Sequence, residues 1–162
     1  MANSMTISEM RLTDVDRLYE ISMDSFSKPW SLNAIQEEYY NEMAYYLVAR
    51  DEHEVAQGFA GAWLVFNEVQ ITNIAVAKDQ RGKGIAEMLL RQLITEMQAK
   101  NMDLIFLEVR ISNHPARKLY EKMGFVYTGK RNSFYDDNED ALLMTRFLKN
   151  QAEVKHFDPR KM

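Results

Sequence analysis

The chain contains no cysteine in its 162 residues. That excludes disulfides, thiolate metal sites and a cysteine nucleophile. Long hydrophobic runs are also missing. The longest, such as Ala60–Phe66, fall far below the roughly 18 residues of a helical membrane span. Residues Met1 to Met10 are polar, with no apolar stretch leading to a small-residue cleavage site, so no membrane partner and a cytoplasmic location are expected. A basic excess is absent as well. Lys and Arg total 20 against 24 Asp and Glu, a net charge of -4, which argues against a nucleic-acid partner.

Proline (3) and glycine (6) are too sparse to form a linker, and there is no internal repeat. A single domain over residues 1–149 is expected, with 150–162 as a C-terminal tail and Met1–Ser4 as a short extension. His53, His114 and His156 are scattered, without metal-ligand spacing. Hydrophobic residues at 46% and charged residues at 27% are ordinary globular usage. The eleven methionines are expected to fill the core. A monomer or weak dimer is the expected assembly.

Periodicity orders the elements. Thr6 to Leu12 reads as a strand, and Thr13 with Asp16 as a capping box opening a helix through Val15, Leu18 and Tyr19. Ser31, after Lys28-Pro29-Trp30, is a good N-cap for a second helix. Tyr45–Ala49, Ala56–Phe66 and Val69–Val76 are β-branched or aromatic runs between turns, as expected of antiparallel strands. Gly84–Lys100 is the clearest helix, with Ala86, Leu89, Leu90, Leu93 and Met97 on one stripe. Leu104–Val109 follows as a strand, Pro115–Met123 as a helix with Gly124 at its C-cap, then strands Phe125–Thr128 and Ala141–Phe147. The reading is α/β: a mixed, mostly antiparallel sheet of about seven strands flanked by about four helices.

The chemistry concentrates where the strand ending at Val76 feeds Arg81-Gly82-Lys83-Gly84-Ile85-Ala86 at the start of the long helix. A glycine turn at a helix start presents unpaired amides and the positive end of the helix dipole, which suits a pyrophosphate. A dinucleotide fingerprint fails because Glu87 stands where its third glycine belongs. A P-loop fails for want of the Ser or Thr after its lysine and of the four-residue spacing between its glycines. A glycine connection that binds nothing is the alternative.

The same segment resembles the acyl-CoA motif of the GCN5-related N-acetyltransferase (GNAT) family, as Arg81-x-x-Gly84-x-Ala86. Leu107-Glu108-Val109-Arg110, Ser112-Asn113 and Ala116-x-x-Leu119-Tyr120-Glu121-Lys122-x-Gly124-Phe125 continue it at the family's spacing. Within that family, Pro29-Trp30-Ser31, Asn73-Ile74-Ala75-Val76 and Arg131-Asn132 with Glu139-Asp140-Ala141 are similar to the RimI-type ribosomal-protein alanine N-acetyltransferases. The resemblance runs to Lys149. The loop before the last strand looks shorter than in some relatives, and the tail is extra.

The resemblance implies acetyl-CoA as donor, with the backbone at Ile74, Ala75 and Val76 along the pantetheine and acetyl group. It places the amides of Gly82, Lys83, Gly84, Ile85, Ala86 and Glu87 on the pyrophosphate, beside Arg81, and Asn113 on the cofactor arm. Glu108, a charge in an apolar run, is read as the general base, its pKa raised by burial; an outward-facing strand end is the alternative. Tyr120, with a reference pKa of about 10, is read as the acid that protonates the leaving thiolate, or else as core. Trp30 and Tyr135 are read as lining the acceptor groove or as packing. Asp136, Asp137, Glu139 and Asp140 are read as attracting a basic acceptor or as a solvated hairpin.

No nucleophile suggests a covalent acetyl-enzyme, so direct attack by a neutral amine in a ternary complex is expected. At neutral pH about a tenth of α-amines, with pKa near 8, are neutral, against far fewer lysines, with pKa about 10.4. The acceptor expected is therefore a protein N-terminus, plausibly a ribosomal protein beginning with alanine. The alternatives are a lysine or small amine, or a non-catalytic acyl-CoA sensor.

Overall fold

A computed structural model describes residues 4–149. The tail 150–162 and all but Ser4 of the expected N-terminal extension lie outside the described residues. The elements run β1 (Thr6–Glu9), α1 (Val15–Ser25), α2 (Leu32–Tyr40), β2 (Ala44–Arg50), β3 (Ala56–Val65), β4 (Glu68–Val76), α3 (Ile85–Ala99), β5 (Leu104–Arg110), α4 (His114–Lys122), β6 (Val126–Arg131) and β7 (Ala141–Phe147). All seven strands form one sheet in the order β1-β2-β3-β4-β5-β7-β6. Every neighbouring pair is antiparallel except β4 with β5. The expected α/β architecture is therefore the observed one.

Alternation along the strands sends side chains to two helical layers. On one face Leu47, Ala60, Ile71, Ile105 and Leu107 pack under Leu89, Leu90, Leu93 and Met97 of α3. On the other Tyr46, Val48, Phe59 and Ala75 meet Leu18 and Ile21 of α1 and Ile35 of α2. The helix starts are chemical. Ser31 Oγ accepts from the Ala34 amide at 3.1 Å and caps α2, and Asn113 accepts from the Ala116 amide at 3.3 Å and caps α4.

Two local expectations give way. The capping box expected at Thr13 and Asp16 is built earlier, around a 3-10 turn over Leu12–Asp14, where Asp14 accepts from the Arg11 amide at 2.7 Å. Asp14 is used there because it also meets buried Arg50, and one carboxylate satisfies both. On α3, Ile85 is fully buried where the stripe had placed Ala86, which is only half-buried at the first turn.

Candidate active site

Strand β4 and strand β5 pair only at Glu68–Leu104, Val69–Ile105 and Gln70–Phe106. Beyond that they part, although β4 continues to Val76 and β5 to Arg110. β5 stays paired with β7 along its whole length, so the opening belongs to the β4–β5 side alone. A bulge helps to create it: Gly61 faces Asn73 while Ala62 faces Ile71, leaving Thr72 as the extra residue that bends β4. The backbone of Ile74, Ala75 and Val76 therefore borders a notch in the middle of the sheet. Peptide groups on such an edge can pair with an extended, amide-bearing chain.

Past the notch, Gly82 and Gly84 hold φ values of +79° and +81°, the left-handed region that favours glycine. A Cβ built on either would meet no atom within 4 Å, so the space over the turn is open. Among the described residues nothing accepts from the amides of Gly82, Lys83, Gly84, Ile85, Ala86 or Glu87. These donors, the α3 dipole and the room above them fit a pyrophosphate. Arg81 does something else with its side chain. It donates to Val76 O at 3.1 Å and to Ser25 Oγ at 3.1 Å, lashing the turn to the end of α1. Glu87, an acid beside the expected phosphate, is drawn aside by Lys122 at 2.5 Å, which holds its carboxyl below the usual range. Asn113 commits its oxygen to the α4 cap, which leaves its NH2 as the group that faces outward chemistry.

On the α1/α2 face of the sheet, Glu108 lies at the level where β5 has left β4. Its side chain is 14% exposed and pairs with Arg131 Nε at 3.2 Å. A cation at that distance offsets the cost of burying the carboxylate, so burial does not act on Glu108 alone, as the sequence had suggested. Tyr120 packs against Phe125, rings 5.7 Å apart. Burial, with a smaller contribution from Tyr135, pushes its hydroxyl up to about 12, well above the value near 10 assumed from sequence. Tyr135 adjoins both groups: its own hydroxyl is raised by burial and by Glu108, while Arg110, stacked 4.0 Å from its ring, pulls the other way. The fold thus brings Glu108, Tyr120 and Tyr135 together.

Trp30 lies on the α1–α2 loop, packed against the α1/α2 core, its ring centre 6.3 Å from that of Trp63. A cleft of about 520 Å3 opens beside it and is lined by Trp30, Ala34, Glu37, Glu38 and Asn41. The acidic segment is spent internally. Asp137 and Glu139 bind Arg110 at 2.8 and 3.0 Å, Asp140 binds Lys130 at 3.2 Å, and Asp136 meets Lys28. These residues hold the β6–β7 loop onto β5 and onto the α1–α2 loop.

Sequence reasoning missed Glu38, Tyr46 and Trp63. Glu38 is buried and accepts from Trp63 Nε1 at 2.9 Å. Tyr46 is buried, and its hydroxyl has no hydrogen-bond partner among the described residues, although Glu38, Thr72 and Asn73 surround it. Gly61 makes the room, since a Cβ there would fall 2.3 Å from Asn73 Oδ1 and 2.5 Å from the Tyr46 ring. A signal existed in the acid within the α2 stripe, one turn after Ala34 and against buried Ile35. No ligand pattern singled it out. No group of three or more metal-ligating side chains occurs among the described residues. Nor is any helix there long and apolar enough to cross a membrane.

Residues 15–125 match the model of the acetyltransferase (GNAT) family. A Bacillus subtilis (strain 168) protein provisionally named [ribosomal protein bS18]-alanine N-acetyltransferase is 40% identical over 146 residues, 89% of this chain and 96% of that one. The Haemophilus influenzae [ribosomal protein bS18]-alanine N-acetyltransferase is 34% identical over 147 residues, 88% of this chain and 98% of its own. The crystal structure of the ribosomal-protein-S18-alanine N-acetyltransferase from Escherichia coli superposes with a TM-score of 0.84 at 30% identity, covering 94% of this chain and 99% of that one.

Proposed function

The chain belongs to the acetyltransferase (GNAT) family, and on that premise we propose that it acetylates the N-terminal α-amine of a ribosomal protein beginning with alanine. It is an acetyltransferase, and acetyl-CoA is the acyl donor, supplying an activated thioester carbonyl. A single domain over residues 1–149 carries the activity.

The observation that carries the reading is the notch where β4 leaves β5. The candidate donor-binding backbone of β4 borders it, and Glu108 stands on β5 where the two strands have parted. Ile74 to Val76 pair with the pantetheine amides, the amides of Gly82 to Glu87 hold the pyrophosphate, and the Asn113 NH2 reaches the cofactor arm. Trp30 and Tyr135 flank the acceptor. Glu108 takes the proton from the attacking amine, directly or through a water, and Tyr120 delivers one to the departing sulfur. A phenol near 12 stays fully protonated, as a donor must. The acceptor attacks directly, within a ternary complex.

A chain end suits this site better than a polyamine. All four acids of the 136–140 segment are neutralised by cations of the same chain, and the cleft beside Trp30 is open. Coenzyme A release tests the proposal with two peptides. One carries a free N-terminal Ala; the other has that amine blocked and a lysine retained. Turnover only with the first is expected. Turnover with the blocked peptide moves the activity to lysine. Silence with both, while acetyl-CoA still binds, leaves a sensor or a small-amine enzyme.

A further inference from the structure

Glu38 sits outside the machinery just described, yet it is 92% buried, with a relative exposure of 8%, on the helix bordering the acceptor cleft. Burying a carboxylate costs several kcal/mol unless partners offset it. Its partner is Trp63 Nε1 at 2.9 Å, and Trp63 in turn packs against Trp30. That chain of contacts matters because of how Trp30 is held. Among the described residues no backbone amide from Ser27 to Trp30 donates to another backbone group. The loop is therefore set by side chains, through packing of Phe26 and Trp30 on the α1/α2 core, the Trp30–Trp63 pair and the exposed Lys28–Asp136 pair. Exposed ion pairs contribute little, so the aromatic contact is the stronger constraint. Strand β3 fixes the Trp63 backbone between Ala44 and Gln70, and Glu38 fixes its indole.

We propose that Glu38 is a positioning residue for acceptor selection. It locks Trp63, and through it the Trp30 wall, so the room for the acceptor's first side chain is set from α2. The inference rests on the N-terminal acetyltransferase reading above.

The protein has two tryptophans, Trp30 and Trp63, so emission excited selectively at tryptophan reports on this pair. The experiment compares Glu38→Leu, which removes the acceptor of the indole N–H, with Glu38→Gln, which keeps an acceptor oxygen. Steady-state kinetics use peptides beginning with Ala and with Leu. In Glu38→Leu the KM for the Ala peptide rises about tenfold and the preference for Ala over Leu falls about tenfold, the scale of one lost hydrogen bond to a charged group. The KM for acetyl-CoA stays unchanged and tryptophan emission shifts. Glu38→Gln retains wild-type selectivity and emission.

Unchanged acceptor KM and selectivity in Glu38→Leu overturn the proposal. So does an equal loss in Glu38→Gln, which would place the charge rather than the locked indole at the acceptor. A parallel rise in acetyl-CoA KM would mean general loosening and would overturn it too. If Glu38→Leu does not fold, Trp63→Phe decides: it keeps the ring packing without the N–H, and the same loss of selectivity is required of it. A wild-type enzyme silent on both peptides defeats the N-terminal reading and this inference with it. Turnover by wild type with unaltered variants defeats this inference alone.

Discussion

Arg131 Nε stands 3.2 Å from Oε1 of Glu108, one partner largely exposed and the other 14% exposed. The candidate base is thus a guarded carboxylate whose counter-ion can swing into solvent. Glu108→Gln preserves shape and removes basicity. We expect kcat to fall by a factor of about 10²–10³ with acetyl-CoA affinity intact. Arg131→Ala, an exposed cation, should cost less than about tenfold. Full activity in Glu108→Gln would remove it from the chemistry.

The raised Tyr120 hydroxyl has a consequence for pH. Its neutral form persists past pH 10, because burial has moved it up to about 12. Wild-type rate should climb as the acceptor α-amine deprotonates around its reference pKa of about 8 and then stay level toward pH 10. Tyr120→Phe should lower kcat by about a hundredfold without bending that profile. A fall near pH 10 that disappears in Tyr120→Phe would contradict the shift.

Gly82 and Gly84 are held at positive φ with open space above them. Alanine at either costs about 1–2 kcal/mol through backbone strain rather than a clash. On the proposed reading it also places a methyl where the donor's phosphates would approach. We expect acetyl-CoA Kd to rise about tenfold or more while the acceptor KM moves little. Calorimetric titration that finds donor affinity unchanged would take the turn out of the site.

Much of this arrangement is written locally. Ser31 announces its helix because a cap needs only the next three residues, and the Leu89-Leu90-Leu93 stripe repeats at helical spacing. The donor turn is contiguous for the same reason. The acceptor side is not. Glu38, Trp63, Tyr46 and Asn73 come from four elements, and only strand register together with the docking of α2 aligns them. The capping box went astray for a similar reason: Asp14 is claimed by Arg50, 36 residues away.

That long-range pair gives a stability prediction. Arg50 is fully buried and binds Asp14, Ser8 and Glu9 O, the last at 3.1 Å. Removing one side, as in Arg50→Ala or Asp14→Ala, strands a buried charge and should cost about 3–5 kcal/mol. Thermal denaturation would show a drop of roughly 10 °C. Replacing both with apolar residues should recover most of it. Equal losses in single and double variants would show that the pair contributes through packing.

Three residue pairs are all that join β4 to β5. The sheet is consequently a zipper closed at one end, with four strands on one flap and three on the other. Beyond Gln70 the β5-facing edge of β4 has no strand partner among the described residues, so on the proposed reading the donor's amide-bearing arm would serve as an eighth strand. Amide hydrogen exchange along this edge becomes a direct gauge of donor occupancy. If the donor fills that edge, the acceptor meets a finished wall only once the donor is laid, and donor-first binding is the order expected.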